Sequence, residues 1–398
     1  MIDVPDISDP DAFVKGFPHE LFRQLRREEP VCWHEGDYLG GRGYWIVSRY
    51  ETIKAISRQP MLFSSASGTA IEDHEENFVS MIAMDPPDHR RFRALVSSGF
   101  TPRRIAAQES HHRKIVKTIL DSVVDRGECD FVVDVAAELP LRVIADLLGV
   151  PQSACRDLYA WTNRMVGNQD DEYVVSLEQA SAAAKEMFVF ANELAQDRLE
   201  KPRDDLMSAL LHGEVDGDRL DVMEFDTFFL LLAVAGNETT RNLISHGLLL
   251  LLDHPETLAR LRKDASLLPA AIEEMLRIKS PVIYMRRTAT QDTELEGKLI
   301  RKGEKVLLYY PSANRDEAVF ERPDVFDIDR KSNLHVAFGF GEHFCVGTHL
   351  ARLETRVLFE GVLERMHDIE VAGSVSYLRS NLIDGVKHIP VTFSGSSS

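Results

Sequence analysis

The chain has 398 residues, of which 44% are apolar and 28% charged, as is ordinary for a globular protein that folds in water. Its formal net charge of −18 opposes binding to phosphate backbones, so we expect no nucleic-acid partner. The longest apolar run, 228–236, is too short to span a bilayer, so we expect no membrane anchor. The first residues carry acids and prolines where a secretory signal peptide would be apolar.

The cysteines also bear on the location of the protein. There are four of them: Cys32, Cys129, Cys155 and Cys345. They form no CxxC pair and no Cys/His cluster, so neither a zinc site, an iron–sulfur site nor a disulfide scaffold is indicated. Together with the N-terminal sequence, this pattern predicts a cytoplasmic protein.

The first elements in chain order are a strand in "GYWIVS", 43–48, and a helix in "ETIKAIS", 51–57. The stretch 63–88 is polar, carries Gly and Ser, and ends after two prolines. It predicts a long mobile loop with room for a short helix, and long loops within compact domains are often functional lids.

From His89 to about Leu276 the spacing of the apolar residues is helical throughout. Helix stops are predicted at Pro151, Gly213 and Pro255. A long central helix is predicted from about Phe225 to Leu252.

After Pro281 the pattern changes to alternating apolar and polar residues, which predicts a hairpin around Lys302-Gly303. A helix in 349–354 and a last strand in 388–393 follow. The predicted fold class is therefore mainly α with small peripheral β-sheets. Because no linker is visible, we expect one domain over 1–394 and a disordered tail over 395–398.

The stretch "HVAFGFGEHFCVGTHLARLE" surrounds Cys345 with Gly339, Gly341 and Gly347, and a helix-forming run follows. Glycines allow positive φ and a close approach to a flat ligand, and helix N-terminal amides favour a thiolate. The pattern suits a thiolate that binds the metal of a large planar cofactor. The alternatives are a buried structural cysteine and a nucleophile activated by a histidine such as His343.

This stretch resembles the haem-binding signature of the cytochrome P450 family, Phe-x-x-Gly-x-x-x-Cys-x-Gly, and Phe338, Gly341, Cys345 and Gly347 occupy its fixed positions. The resemblance covers nearly the whole chain and implies the P450 fold with haem b, iron protoporphyrin IX. It implies that Cys345 is the iron ligand and that Phe338, Gly339 and Gly347 contact the cofactor. Val346 replaces a leucine that is frequent in the family.

The segment "AGNETT" within the predicted central helix resembles the oxygen-activating acid–alcohol motif of the family. Gly236 weakens the helical ladder, and a threonine can bond back to a carbonyl one turn earlier, so we expect a local bulge. The resemblance implies that Ala235 and Gly236 adjoin the haem. It also implies that Glu238 is the acid and Thr239 the alcohol of a proton relay.

Two further sets of residues follow from the same resemblance. His89 and Arg93, which share a helical face, would bind the haem propionates together with Arg287 and His343. Glu274 and Arg277 match the Glu-x-x-Arg motif, which implies a buried structural pair beneath the haem.

The activity that the resemblance implies is a haem-thiolate monooxygenase, which uses dioxygen and electrons from a ferredoxin and ferredoxin reductase. A peroxide-driven peroxygenase is an alternative, although the pair Glu238–Thr239 argues against it. A non-catalytic haem sensor or carrier is another, and a cysteine hydrolase is a remote one. We expect a monomer, and a basic face that docks an acidic ferredoxin is predicted from six side chains: Arg90, Arg91, Arg103, Arg104, His349 and Arg352.

The substrate pocket is predicted to be apolar, so it favours a lipophilic ligand. Its predicted lining residues are Phe229, Leu232, Val282, Ile283, Leu382 and Ile383. The stretches 281–295 and 380–391 resemble a bacterial branch of the family that hydroxylates methyl-branched lipids, terpenoids and steroid side chains. We therefore expect hydroxylation of a terpenoid, branched fatty acyl or steroid-like molecule.

Overall fold

A computed structural model supplies the structure of the chain. The residues it describes are 2, 4–36, 43–73, 80–97, 99–174, 176–203, 205–214 and 219–396. The chain divides into two compact units. Unit 1 is Met1–Arg93, Leu276–Cys345 and Arg379–Asp384, and unit 2 is Ala94–Met275, Val346–Leu378 and Gly385–Ser398. That the chain acts as a single haem domain over 1–394 remains a proposal.

Helices dominate the described residues, which confirms the predicted mainly-α class. The α-helices are α1 (His19–Glu28), α2 (Tyr50–Ser57), α3 (Asp88–Ser97), α4 (Pro102–Ala107), α5 (Glu109–Asp121), α6 (Glu138–Leu147), α7 (Cys155–Val166), α8 (Leu177–Glu200), α9 (Leu206–His212), α10 (Val222–Asp253), α11 (Pro255–Lys263), α12 (Leu268–Ile278), α13 (Tyr310–Ala313) and α14 (Thr348–Arg365). The stops predicted near Pro151, Gly213 and Pro255 follow α6, α9 and α10.

The strands are short. They are β1 (Val31–His34), β2 (Tyr44–Val47), β3 (Phe63–Ser64), β4 (Glu128–Asp130), β5 (Tyr284–Ala289), β6 (Thr293–Leu295), β7 (Lys298–Ile300), β8 (Lys305–Tyr309), β9 (Met366–Val371), β10 (Ser376–Tyr377), β11 (Val386–His388) and β12 (Pro390–Gly395).

Unit 1 contains a five-stranded sheet in the order β1-β2-β8-β5-β3, in which only β2 and β8 pair in parallel, and the hairpin β6-β7. Unit 2 contains the sheet β4-β12-β9 and the pair β10-β11. The inner strands β2 and β8 are buried along their whole length, which explains why their residues are apolar apart from Lys305 at the start of β8. Aromatic side chains pack behind them, with the rings of Phe22 and Tyr309 4.7 Å apart.

Helix α10 is the longest described element, with 32 residues and a length of about 48 Å. A capping box begins it, in which Asp221 and Glu224 each bind the other's backbone N–H. The helix is continuous through Gly236, so the bulge expected there is absent. A Cβ atom at Gly236 would lie 2.9 Å from Cδ1 of Ile144, so the glycine allows α10 to pack closely on α6.

Two local predictions are wrong. The strands on either side of Lys302-Gly303 do not pair with each other: β7 pairs with β6 around Glu296-Gly297, and β8 joins the large sheet. Gly395, predicted to belong to a disordered tail, lies in β12 opposite Met366. The loop predicted over 63–88 contains β3 and a 3-10 turn at Met81–Ala83, and its residues 74–79 lie outside the described ranges.

Candidate active site

The cysteine loop ends unit 1, and its shape depends on its glycines. The backbone N–H of Cys345 donates to the carbonyl of Phe338, 2.9 Å away, which closes the loop. Gly339 and Gly341 have φ values of 72° and 74°, in the left-handed region. A Cβ atom at Gly341 would also lie 2.3 Å from the carbonyl oxygen of Ser57, which ends α2. The loop thus presents Cys345 as an exposed cysteine that is not part of a disulfide.

Four basic side chains of unit 1 gather near this loop, as predicted for propionate binding: His89, Arg93, Arg287 and His343. The rings of His89 and His343 lie 4.2 Å apart, and Nε2 of His343 lies 3.2 Å from Oγ of Ser65. Both His89 and Arg287 are almost fully buried, with exposed fractions of 1% and 4%. The structure therefore brings the four predicted side chains into one cluster.

The cluster has an excess of positive charge. Burial and the neighbouring arginines lower the pKa of His343 to about 3, and burial followed by Arg93 lowers the pKa of His89. Burial also lowers the pKa of Arg287, which donates to the carbonyl of Arg286. Groups that are buried among like charges in this way favour an anionic ligand.

The nearby carboxylates are already engaged. Glu342 accepts from Nε of Arg90 at 3.1 Å, and Asp85 accepts from the backbone N–H of Ser65 at 2.8 Å. Nδ1 of His89 is buried and has no hydrogen-bond partner among the described residues. A dianionic group would satisfy these buried donors, so the residues present fit the two propionates of haem b, with Cys345 as the metal ligand.

A second group of predicted site residues lies on α10 in unit 2. Oγ1 of Thr239 donates to the carbonyl of Ala235, 2.8 Å away and one turn earlier, as the sequence predicted for a threonine in this segment. Ala235 is exposed and Thr239 is half-buried, so this face of α10 is accessible. Gly236 has a packing role against Ile144, and its predicted contact with the cofactor remains a proposal.

Glu238, next to Thr239 in the chain, is turned into the protein and is only 2% exposed. It forms an ion pair with Arg241, three residues later, and Nη1 of Arg241 donates to Oδ1 of Asn163 in α7 at 2.8 Å. Burial raises the pKa of Glu238, and Arg241 counteracts that rise. The predicted acid is therefore held in a buried network, whereas the predicted alcohol is accessible.

The predicted structural pair is buried, since Glu274 and Arg277 both have no exposed surface. In unit 1, Arg277 donates to the carbonyls of the irregular segment that follows α13. These carbonyls belong to Asn314, Pro323 and Val325, at 2.9, 2.6 and 3.0 Å. The contacts are those of a scaffold residue, which supports the predicted structural role of Arg277.

The predicted pocket residues of unit 1 lie on two adjacent segments. Val282 and Ile383 form an isolated antiparallel bridge, and the N–H of Ile283 donates to the carbonyl of Leu382 at 2.8 Å. Ile283 is packed in the hydrophobic core with Phe22, because successive residues of an extended chain point in opposite directions. Val282 and Leu382 are half-buried and are therefore the more accessible members of this set.

In unit 2, Phe229 and Leu232 of α10 are both buried. The ring of Phe229 is 6.1 Å from the ring of Phe190 in α8, so part of its apolar surface packs between helices. Whether these two residues also line a ligand pocket remains a proposal.

The sequence reasoning missed Arg241, Asn163 and Tyr310. Arg241 follows Glu238 by three residues, a spacing that places two side chains on one helical face and that is readable from the sequence. No sequence signal marks Asn163, which reaches Arg241 from another helix. The hydroxyl of Tyr310 would lie 3.5 Å from a Cβ atom at Gly339, so it borders the cysteine loop.

Comparisons with known proteins give matches over nearly the whole chain. The family model described as Cytochrome P450 matches residues 141–367. A steroid C26-monooxygenase of Rhodococcus jostii is 39% identical over 98% of this chain and 85% of its own. A methyl-branched lipid omega-hydroxylase of Mycobacterium bovis is 41% identical over 94% of this chain and 90% of its own. A Mycobacterium marinum cytochrome P450 in complex with pseudoionone superposes with a TM-score of 0.93 at 38% identity, covering 98% of both chains.

Of the helices in the described ranges, none combines the length and the apolar character that crossing a bilayer requires.

Proposed function

The chain belongs to the cytochrome P450 family and is a haem-dependent monooxygenase acting on lipophilic substrates; from that premise we propose that it hydroxylates a terpenoid, branched fatty acyl or steroid-like molecule with electrons from a ferredoxin. The observation that carries this proposal is the exposed Cys345 thiol in its glycine-bounded loop, within the unit that also holds the buried basic cluster. Haem b held there supplies the activation of dioxygen with two electrons and the transfer of one oxygen atom to the substrate.

The predicted site residues of unit 1 each have a defined role toward the cofactor. Cys345 provides the metal ligand, and its negative charge raises the pKa of Arg93 against the lowering effect of burial. His89, Arg93, Arg287 and His343 hold the two propionates. Phe338 fixes the loop through its carbonyl, and Gly347 precedes the first turn of α14.

On α10, Thr239 holds the position of a proton donor or water at its hydroxyl, and Glu238 supplies the proton. The back bond to Ala235 fixes the rotamer of Thr239. Burial raises the pKa of Glu238, which favours the protonated form of its carboxyl group. This pair distinguishes the proposed monooxygenase from a peroxygenase, which needs no such relay.

The proposed substrate class rests on the apolar character of the predicted pocket residues and on the relatives. One of these is named a steroid C26-monooxygenase and another a methyl-branched lipid omega-hydroxylase. Val282 and Leu382 offer partly accessible apolar surface, and no charged side chain is among the predicted lining residues. A lipophilic molecule with few polar groups suits such a surface.

A panel of fatty acids, branched acyl chains, terpenes, sterols and small aromatics tests the substrate class. The shift of the ferric Soret band reports binding, and product analysis reports turnover. We expect binding and chain-end hydroxylation within the first four groups. Turnover of small aromatics alone would refute the substrate class and leave the monooxygenase assignment in place. Turnover with hydrogen peroxide but not with reduced donor would favour the peroxygenase.

The proposed electron donor is a small acidic ferredoxin served by its reductase. Arg103 and Arg104 are exposed on α4, and His349 is exposed on α14. Two other members of the predicted face are paired, since Arg90 binds Glu342 and Arg352 binds Glu273 with two bonds of 2.6 and 2.8 Å. The unit 2 arginines of α4 are therefore the strongest steering charges in this proposal.

The matched test compares Arg103→Glu with Arg301→Glu, an exposed arginine of the β7–β8 turn. Arg103→Glu should raise the Michaelis constant for an acidic ferredoxin severalfold and flatten its salt dependence, whereas Arg301→Glu should do neither. Equal behaviour of the two variants would place the docking face elsewhere. We also propose a monomer, to be checked by light scattering, and a cytoplasmic location, with which four cysteines outside any disulfide are compatible.

A further inference from the structure

The buried pair on α10 is linked to a second helix. Glu238 and Arg241 are each 2% exposed and pair within two turns of one helix. Nη1 of Arg241 reaches Oδ1 of Asn163 in α7, and Asn163 is itself 6% exposed. The link therefore lies inside unit 2, away from bulk solvent, where it is electrostatically strong.

Several polar atoms on the same stretch of α10 are buried without a hydrogen-bond partner in the described part of the chain. They are Oδ1 of Asn237, Oε1 of Glu238, Nε of Arg241 and Nδ2 of Asn242. Buried polar atoms are satisfied by ordered water when the protein offers no partner. Oε1 of Glu238 is thus the carboxylate oxygen left for water, because Arg241 occupies Oε2.

We infer that Arg241 is a positioning residue. Its guanidinium, which is held by Asn163 of α7, binds Oε2 of Glu238 and so leaves Oε1 to exchange protons with buried water. In this arrangement Glu238 gives its proton from Oε1 to a buried water molecule, becomes a carboxylate that Arg241 stabilises, and takes up a proton from water at the same oxygen. Any displacement of α7 acts on Glu238 through Asn163. This inference rests on the proposed role of Glu238.

The electrostatics of the pair agree with this arrangement. Burial raises the pKa of Glu238, and Arg241 is the one charged group that opposes this rise. Burial disfavours the charged form of Arg241, yet Glu238, Tyr159 and Tyr173 raise its pKa, so the guanidinium stays charged. Tyr159 lies on α7 and Tyr173 in the segment after it. Loss of the charge at Arg241 should therefore favour the protonated form of Glu238.

Arg241→Gln, in the haem-loaded protein, removes the charge but keeps a group that can bond to Glu238 and Asn163. The protonated-carboxyl band of Glu238 in infrared difference spectra, assigned by its loss in Glu238→Gln, should then titrate about one pH unit or more higher. Product formed per NADH consumed should fall severalfold, whereas the substrate-induced Soret shift should occur at a similar substrate concentration. In Arg241→Lys, which keeps the charge, the carboxyl band of Glu238 should titrate close to the pH at which it titrates in the wild type.

Asn163→Ala should shift the band in the same direction as Arg241→Gln, but by less, and it offers a second route if Arg241→Gln folds poorly. The matched control is Thr162→Ala, which removes the neighbouring α7–α10 bond from Asn237, 3.2 Å, without touching the pair. It should leave both the band and the coupling unchanged.

The outcomes distinguish an error in the proposed role of Glu238 from an error in the positioning role of Arg241. If Glu238→Gln leaves coupling intact, the proposed role of Glu238 is wrong, whatever Arg241 does. If Glu238→Gln uncouples turnover but neither Arg241→Gln nor Asn163→Ala moves the carboxyl titration, the positioning role is wrong and the proposed function stands. Equal shifts in Thr162→Ala and Asn163→Ala would also contradict it, because the effect would then reflect helix packing alone.

Discussion

Oγ1 of Thr239 lies 2.8 Å from the carbonyl oxygen of Ala235 and donates its hydrogen to it. The bond turns the hydroxyl oxygen, rather than its hydrogen, toward the accessible face of α10, so the side chain can accept a hydrogen bond there. An acceptor at this position can hold a water or a protonated ligand in place. This geometry accounts for the role that we propose for Thr239.

Thr239→Ala should keep haem and substrate binding but divert reducing equivalents to hydrogen peroxide. We expect product per NADH to fall about tenfold or more, since a positioned proton donor contributes at least that much. The measurement is NADH consumed, peroxide formed and product formed in one assay. Thr239→Ser is the control, because it keeps the hydroxyl and should remain coupled. Normal coupling in Thr239→Ala would remove the threonine from the relay.

Arg287→Met should weaken haem binding and at the same time relieve the charge repulsion in the apoprotein. Loss of a charge-assisted hydrogen bond of roughly 1.5–3 kcal/mol predicts an affinity for haem that is about 10- to 100-fold lower. The thermal midpoint of the apoprotein should not fall, because burial disfavours the charged form of Arg287 and lowers its pKa, and the charge of Arg287 in turn lowers the pKa of His89 and of His343.

Haem titration and calorimetry of the apoprotein check this prediction. Arg322→Met, at an exposed arginine that pairs with Asp327, is the control and should change haem affinity little. An apoprotein that is strongly destabilised by Arg287→Met, with unchanged haem affinity, would mean that Arg287 is a scaffold residue.

Gly341→Ala tests why the cysteine loop needs its glycine. Both Gly341 and Gly297 have left-handed φ values, 74° and 75°, so alanine costs about 1–2 kcal/mol at either position. Only Gly341 faces a backbone atom, the carbonyl of Ser57, whereas nothing lies within 4 Å of a Cβ at Gly297. Gly341→Ala should therefore lose haem binding or destabilise the protein by several kcal/mol, and Gly297→Ala should not. Equal losses of stability would show that the contact with Ser57 is unimportant.

The stability of unit 2 should depend on pH through His388. Its two ring nitrogens face Asp130 and Glu172, with Nε2 2.7 Å from Oε1 of Glu172. Burial opposes the charged form, but the two carboxylates raise the pKa of His388 above its usual value of 6.5. The stabilisation is therefore fully present below pH 6.5 and is lost as the pH rises through the raised folded-state pKa.

Because His388 is partly exposed, the contribution is below about 1 kcal/mol. Thermal midpoints of the wild type and of His388→Gln, measured from pH 5.5 to about pH 9, check it. The difference between the two should narrow as the pH rises. A difference that stays constant over this range would mean that folding does not raise the pKa of His388.

The sequence predicts the helical elements well because helix stops and apolar spacing are local features, as at Pro151 and Gly213. The hairpin around Lys302-Gly303 was predicted wrongly because a turn residue does not decide which strands pair, and β8 finds more apolar surface between β2 and β5. Strand partners depend on contacts that are distant in the sequence.

The site residues also divide into those that a local motif identifies and those that depend on contacts distant in the sequence. The cysteine signature and the four propionate-binding candidates were identified by their resemblance to motifs of the P450 family, and the structure clusters the four candidates in unit 1. Asn163 could not be identified, because its role arises only from its approach to Arg241 across two helices. Ile283 was assigned to the pocket from its apolar character, which does not distinguish a lining residue from a core residue.

The most direct test of the haem-thiolate assignment is the carbon monoxide spectrum of the reduced protein. The wild type and Cys155→Ser, which alters a buried free thiol in α7, should both show the Soret band of a thiolate-ligated haem. Cys345→Ser should lose that band together with monooxygenase activity, because a neutral hydroxyl is a poor electron donor to iron. Retention of the thiolate-type band in Cys345→Ser would contradict the account.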